Sequence, residues 1–188
     1  MKFITRVVAA SAVFFSIAAQ AFPIAAPGTE GFLVISSGGD VVATYEGNSA
    51  SYSNDLYLVN MLTNTIIFNN HTSPVGSTFD LGTYAAGTEL IFKLFVNNTG
   101  NAFFTGPGSR NPDGLAHARV QNNWQPGTTL VSFEDLFGTP EGANGFNDLS
   151  FSFTNTISTP VPEPSSLALL GLGLVALGAL RRRKNGNV

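Results

Sequence analysis

The sequence predicts an all-β protein. Its central domain, called the passenger below, is expected to be an antiparallel β-sandwich or jelly-roll-like fold, with one further segment at each end of the chain. Apolar and polar residues alternate in short segments such as Leu149–Thr154, which is the period-two pattern of a strand with one buried face. Clusters of Gly, Pro and Asn separate these segments, as at 97–101 and 106–114. No amphipathic helical stretch of useful length interrupts them. Many short strands with regular turn signals indicate a sandwich or jelly roll.

Residues 1–21 have the pattern of a secretory signal peptide. Lys2 and Arg6 form the positive n-region, an apolar h-region follows, and Ala19 and Ala21 fit the small positions of a cleavage site. We therefore expect the export machinery and signal peptidase to process the chain directly after this segment. The alternative is an N-terminal anchor that stays uncleaved.

Ten strands are predicted in the passenger. Residues 32–36 and 41–45 flank a Ser-Gly-Gly-Asp turn, so these two strands are expected to pair as a hairpin. The sixteen phenylalanines of the chain are the expected core residues. The other eight strands are predicted at 56–60, 65–68, 78–84, 90–96, 102–105, 116–121, 129–133 and 149–154.

The passenger domain is predicted over 22–155, with a linker at 156–160, and it is strongly acidic. It contains three basic residues, Lys93, Arg110 and Arg119, against eleven of the twelve acidic residues, which gives a formal charge of −8. This charge disfavours nucleic acid as a partner and suits divalent cations. Because the chain has no cysteine, disulfides, thiolate metal sites and a cysteine nucleophile are excluded.

The C-terminal segment, residues 161–188, has three parts in a fixed order. A Pro-Glu-Pro triplet comes first, a transmembrane helix is predicted over 165–180, and a basic tail follows at 181–184. The uncharged run 167–180 spans roughly 21 Å as a helix, which is short for a hydrocarbon core of about 30 Å. The positive charges after it keep that end on the cytoplasmic side.

This arrangement resembles the PEP-CTERM sorting signal of Gram-negative bacteria, which the membrane protease exosortase processes. The resemblance implies a transient inner-membrane anchor and then delivery to the cell surface or the extracellular matrix. A plain single-pass anchor is the alternative, whereas a buried core helix is excluded because only basic and polar residues follow the run. The residues that carry the resemblance are Pro162, Glu163, Pro164, Arg181, Arg182 and Arg183, with the apolar helix between the two groups.

Two polar stretches contain the oxygen ligands that hard cations bind. Ca²⁺ takes six to eight oxygens, and carboxylates at the end of one strand and the start of the next can meet at one rim of a sandwich. We therefore expect Ca²⁺ as the cofactor, although turns stabilised by Asn and Asp side chains explain the same residues. The predicted ligands are Glu134, Asp135, Asn147 and Asp148, with Asn111 and Asp113 as a second candidate set.

Together these stretches resemble a secreted bacterial domain of unknown function that occurs in surface proteins. The pattern of that domain runs NPDG…H, then EDL, then FND before a final strand. Here it corresponds to residues 111–114 with His117, to 134–136 and to 146–148. The turn before FND usually carries further aspartates in that family, whereas residues 141–145 of this chain are Glu-Gly-Ala-Asn-Gly.

No catalytic residue is predicted. The chain lacks G-x-S-x-G, H-E-x-x-H and a phosphate-binding glycine loop, and its two histidines, His71 and His117, lie far apart in the sequence. We therefore expect a non-enzymatic binding or structural module. A carbohydrate-binding module, with extracellular polysaccharide as partner, would instead have an exposed aromatic platform or a metal-bridged ligand site. A carboxylate-pair glycoside hydrolase would have a cleft with converging carboxylates of perturbed pKa.

Overall fold

The computed structural model describes residues 22–59, 65–138 and 145–161. The predicted signal peptide, the Pro-Glu-Pro triplet, the transmembrane helix and the basic tail lie outside the described residues. The strands are β1 (Leu33–Ser36), β2 (Gly39–Gly47), β3 (Asn54–Leu58), β4 (Phe68–Asn69), β5 (Thr78–Tyr84), β6 (Phe92–Val96), β7 (Ala102–Phe104), β8 (Ala118–Asn122), β9 (Thr128–Phe133), β10 (Leu149–Thr154) and β11 (Thr156–Thr159). A 3-10 helix, Gly108–Arg110, lies between β7 and β8. In the described part of the chain, no helix has the length and apolar character needed to cross a membrane.

Two antiparallel sheets pack face to face, which confirms the predicted sandwich. The larger sheet has the order β5-β2-β10-β9-β8, the smaller sheet has the order β4-β3-β6-β7, and β1 pairs separately with β11. Phe153 of β10 stacks on Phe92 of β6 with the ring centroids 4.0 Å apart. Tyr45 of β2 also contacts Phe68 of β4 across the layers, with the rings tilted and their centroids 5.8 Å apart. Because each pair joins the two sheets, burial of these rings stabilises the packing of one layer on the other.

The predicted hairpin between the first two strands is wrong. β1 pairs with β11, from Leu33 opposite Thr159 to Ser36 opposite Thr156, whereas β2 lies between β5 and β10. Gly38 and Gly39 both adopt φ of 101°, a conformation that glycine accepts readily. The chain therefore leaves β1 in a new direction and enters a different sheet.

The predicted linker at 156–160 is also corrected, because Thr156–Thr159 forms β11. Asn155 adopts φ of 52° between β10 and β11, and asparagine tolerates this left-handed conformation better than most residues. Its side-chain amide donates a hydrogen bond to the carbonyl of Asp40 at 2.7 Å. The folded domain therefore reaches Thr159, and its core is enclosed by strands within the described residues. We expect residues 22–161 to fold as an independent unit.

The segment before β1 lies against the larger sheet. The N–H of Ala25 donates to the hydroxyl of Ser132 at 2.8 Å, and the guanidinium of Arg119 pairs with Glu30 at 2.7 Å. The guanidinium of Arg119 also lies over the ring of Phe146 at 4.4 Å. Arg119 thereby contacts both the segment before β1 and Phe146, which lies just ahead of β10.

Candidate metal centre

The pairing of β9 with β10 brings acidic residues together at one rim of the sandwich. Leu149 at the start of β10 lies opposite Phe133 at the end of β9. The adjoining residues, Glu134 and Asp148, therefore come close to each other beyond the last paired position. One carboxylate oxygen of Glu134, one of Asp135 and one of Asp148 lie within 4.8 Å of one another. The structure thus brings three of the four predicted ligands together.

Burial and backbone hydrogen bonds constrain these carboxylates. Glu134 is 1% exposed and Asp135 is 4% exposed, while Asp148 is half-buried. The N–H of Asp135 donates to Oδ2 of Asp148 at 2.7 Å, and the N–H of Leu136 donates to Oε1 of Glu134 at 3.1 Å. The three acids are therefore fixed at short range by the loop that carries them.

The close approach of these acids changes the acidity of Asp148. Burial raises its pKa to about 8, and the negative charges of Asp135 and Glu134 add to the rise. A side-chain hydrogen bond with Glu134 acts in the same direction, although the N–H of Asp135 opposes it. In this arrangement the carboxyl of Asp148 holds a proton at neutral pH, which reduces the repulsion among the three acids. A bound cation would reduce the same repulsion in place of the proton.

Asn54, which was not among the predicted site residues, joins the group from the opposite sheet. Its Nδ2 donates to Oδ2 of Asp135 at 2.8 Å across a separation of 81 residues. The residue is 0% exposed, and its Oδ1 has no hydrogen-bond donor among the residues that the structure describes. An unsatisfied buried acceptor costs roughly 1–3 kcal/mol. An amide oxygen is also a regular ligand of Ca²⁺, so a buried asparagine beside the acid cluster is compatible with a cation site there.

Asn70 holds Asn54 in place. Oδ1 of Asn70 accepts the N–H of Asn54 at 2.8 Å, and Nδ2 of Asn70 donates to the carbonyl of Tyr52 at 2.8 Å. The only sequence signal for Asn54 was its position among polar residues just before an apolar strand. That signal does not reveal a partner in another sheet.

A cavity of ≈ 220 Å³ opens beside the acid cluster. Asn147 contributes to this cavity, and its carbonyl oxygen accepts the N–H of Ser49 at 3.0 Å. Because two of the three clustered acids line the cavity, the cluster is reached from it. The cavity is lined by Ser49, Ser51, Tyr52, Asp135, Leu136, Asn147 and Asp148.

Asn111 and Asp113, the second candidate set, lie in a separate hydrogen-bonded loop. Oδ1 of Asn111 accepts the N–H of Phe104 at 2.8 Å, and its Nδ2 donates to the carbonyl of Leu115 at 2.6 Å. Oδ2 of Asp113 accepts the N–H of Gly138 at 2.9 Å. These side chains therefore serve as turn formers, and among the described residues the acid cluster does not include them.

His117 connects this loop to the acid cluster. It is fully buried and stacks on Phe103 with the ring centroids 3.8 Å apart. Its Nδ1 lies 3.1 Å from the carbonyl oxygen of Glu134, and its Nε2 lies 2.8 Å from Oδ2 of Asp113. Burial opposes ionisation of Asp113, but hydrogen bonds from Gly138, Leu115 and His117 outweigh it and lower the pKa of Asp113. The pair thereby ties the two loops together.

Comparison with known proteins identifies the tail. Residues 160–184 match the family model of the PEP-CTERM protein-sorting motif. No curated protein and no solved structure matches the chain. The chain therefore carries a PEP-CTERM sorting signal, which indicates an exported protein that exosortase processes at the membrane. The match covers the tail alone, so the passenger's function has to be inferred from its own residues.

Proposed function

We propose that this exported, PEP-CTERM-sorted protein is a non-enzymatic binding or structural module of the cell surface or extracellular matrix, stabilised by one Ca²⁺ ion. The observation that carries the proposal is the cluster of three carboxylates formed by Glu134, Asp135 and Asp148. One oxygen of each lies within 4.8 Å of one oxygen of the other two. Asn54 supports it as a further ligand, because a flip of its side-chain amide would exchange Nδ2, which donates to Asp135 at 2.8 Å, for Oδ1, which lacks a donor among the described residues. Hard oxygen ligands of this kind select Ca²⁺ over softer metals.

The distribution of positive charge in the domain supports a cation from solution. Arg110 pairs with Glu89 at 2.6 Å, and Arg119 pairs with Glu30 at 2.7 Å. Lys93 lies over the ring of Tyr57, on the smaller sheet, at 4.1 Å. Each of the domain's three basic side chains is thus engaged with another group, while the domain as a whole carries a formal charge of −8. A divalent cation at the rim would offset the repulsion among the clustered carboxylates.

Thermal unfolding of residues 22–161 in millimolar Ca²⁺ and in chelator tests the proposal. At about 100 times the dissociation constant, bound Ca²⁺ stabilises the domain by about 2.7 kcal/mol. For a domain of this size the midpoint rises by roughly 5–15 °C. Asp148→Asn should abolish most of this rise, whereas Asp80→Asn, which removes one exposed charge from β5, should retain it. Equal midpoints for the wild type in Ca²⁺ and in chelator would contradict the proposal.

Glycoside hydrolysis is a second candidate function, because a carboxyl with a pKa raised to about 8 lines a cavity with Asp135. The number of converging groups favours the metal site instead. Glycosidases need two positioned carboxyls, whereas three carboxylates meet at this rim beside the buried amide of Asn54. Incubation with a panel of aryl glycosides separates the two functions. Turnover that is lost in Asp148→Asn and retained in chelator would favour the hydrolase.

A further inference from the structure

We propose that the rim cation is shared with a ligand: the cavity beside it binds one uncharged sugar residue, whose vicinal hydroxyl groups complete the coordination of Ca²⁺. This inference rests on the calcium site proposed above and names the ligand of that site.

With one oxygen from each clustered side chain, the protein leaves part of the coordination shell of Ca²⁺ open. Glu134, Asp135 and Asp148 would then supply three oxygens, and Asn54 would add a fourth after the flip of its amide. Ca²⁺ takes six to eight, so at least two positions remain for ligands from solution. Since Asp135 and Asp148 line the cavity, the remaining positions face into it. Two adjacent hydroxyl groups on one ring can fill neighbouring positions.

The cavity has the size and lining for a small polyol. Its volume of ≈ 220 Å³ is below the roughly 300–1,000 Å³ typical of sites for drug-sized ligands. Ser49 and Ser51 supply hydroxyl groups that can donate or accept hydrogen bonds, and Asn147 supplies an amide. Tyr52 is half-buried and also lines the cavity, and a tyrosine ring can pack on the C–H groups of a sugar. This mixture disfavours a purely apolar ligand.

The charge of the domain selects among sugars. With a formal charge of −8, the domain repels phosphorylated sugars, uronic acids and other anions. One bound cation offsets this charge only in its own vicinity. Neutral hexoses avoid this repulsion. We therefore expect a neutral sugar residue, either free or at the end of a chain.

Saturation-transfer NMR on residues 22–161 tests the inference, with the methyl glycosides of D-glucose, D-galactose, D-mannose and L-fucose as probes at millimolar concentration. At least one glycoside should receive saturation in Ca²⁺ and lose it in chelator. Tyr52→Ala should leave the Ca²⁺-dependent rise in melting temperature unchanged and weaken glycoside binding roughly three- to tenfold. Tyr57→Ala, which changes a half-buried tyrosine of the smaller sheet, is the matched control and should bind as the wild type does.

The possible outcomes separate the inference from the proposed function. If Ca²⁺ raises the melting temperature but none of the four glycosides receives saturation, the sugar site is refuted and the calcium site stands. Binding that persists in chelator, or that Tyr52→Ala leaves unchanged, also refutes the shared site. If Ca²⁺ has no effect on melting, both the calcium site and the shared sugar site fail.

Discussion

Replacing Asp148 with asparagine should stabilise the calcium-free domain while weakening Ca²⁺ binding. Burial and the neighbouring acids raise the pKa of Asp148 to about 8, so its ionised form is disfavoured in the folded state. An asparagine oxygen can still accept the N–H of Asp135, which lies 2.7 Å from Oδ2 of Asp148. The new amide can also donate to Glu134, as the protonated carboxyl does. The variant therefore imitates the protonated residue without its titration.

The sign and size of this effect follow from the difference between the folded and unfolded pKa of Asp148. The unfolded carboxyl titrates near about 3.9, well below its folded value of about 8. A raised carboxyl pKa contributes stability that is fully present below the unfolded value and is lost as pH rises through the folded value. Each pH unit in this window costs the wild type up to about 1.4 kcal/mol. Because the side chain is only half-buried, we discount the total and expect a gain of about 1–3 kcal/mol for the variant at pH 7.

Urea unfolding in chelator at pH 5 and pH 8 measures this gain. Asp148→Asn should exceed the wild type in unfolding free energy at pH 8, and the difference should shrink toward pH 5. In Ca²⁺ at 100 times its dissociation constant, the advantage of the variant should fall by about 2.7 kcal/mol, because the wild type gains the binding free energy of the ion. Asp80→Asn controls for the loss of one negative charge. A variant less stable than the wild type in chelator at pH 8 would refute the reasoning.

Three further changes test the fold and the sorting signal. Asp113→Ala should lower the unfolding free energy by about 1–3 kcal/mol, because His117 and the N–H of Gly138 lose their acceptor. Because the pKa of Asp113 is lowered, this difference should shrink as pH falls below about 4 in a urea-unfolding series, and a constant difference would count against it. Phe151→Ala should cost about 3–5 kcal/mol in the same assay, since the ring is fully buried between Tyr45 and Phe133, and a loss below about 1 kcal/mol would contradict this packing. Changing residues 162–164 to three alanines should leave export intact and block C-terminal trimming, as mass spectrometry of the membrane and secreted fractions would reveal, whereas normal release would favour a plain anchor.

The class of fold was predictable because strand periodicity is local. In β10, Leu149, Phe151 and Phe153 alternate with polar residues, and all three are fully buried in the core. The same pattern in β6 buries Phe92 and Leu94. A period of two is written in neighbouring residues, so it can be recognised without knowing which strand lies alongside.

Pairing between distant strands was less predictable. The turn after β1 has the composition of a hairpin, yet β1 pairs with β11, which the composition of 156–160 indicated as a linker. Short strands can pair in several ways, and the favoured partner depends on burial by the rest of the chain. Local sequence therefore did not determine which of these pairings forms.

The residues alone were enough to predict the PEP-CTERM tail, an acidic all-β passenger, and the placement of Glu134, Asp135 and Asp148 at the ends of adjacent strands. The folded domain was needed to reveal that Asn54 faces Asp135 at 2.8 Å and that a cavity opens beside them. The three acids are neighbours through one strand pair, whereas Asn54 comes from the other sheet and reaches them only when burial of the aromatic core brings the two layers together.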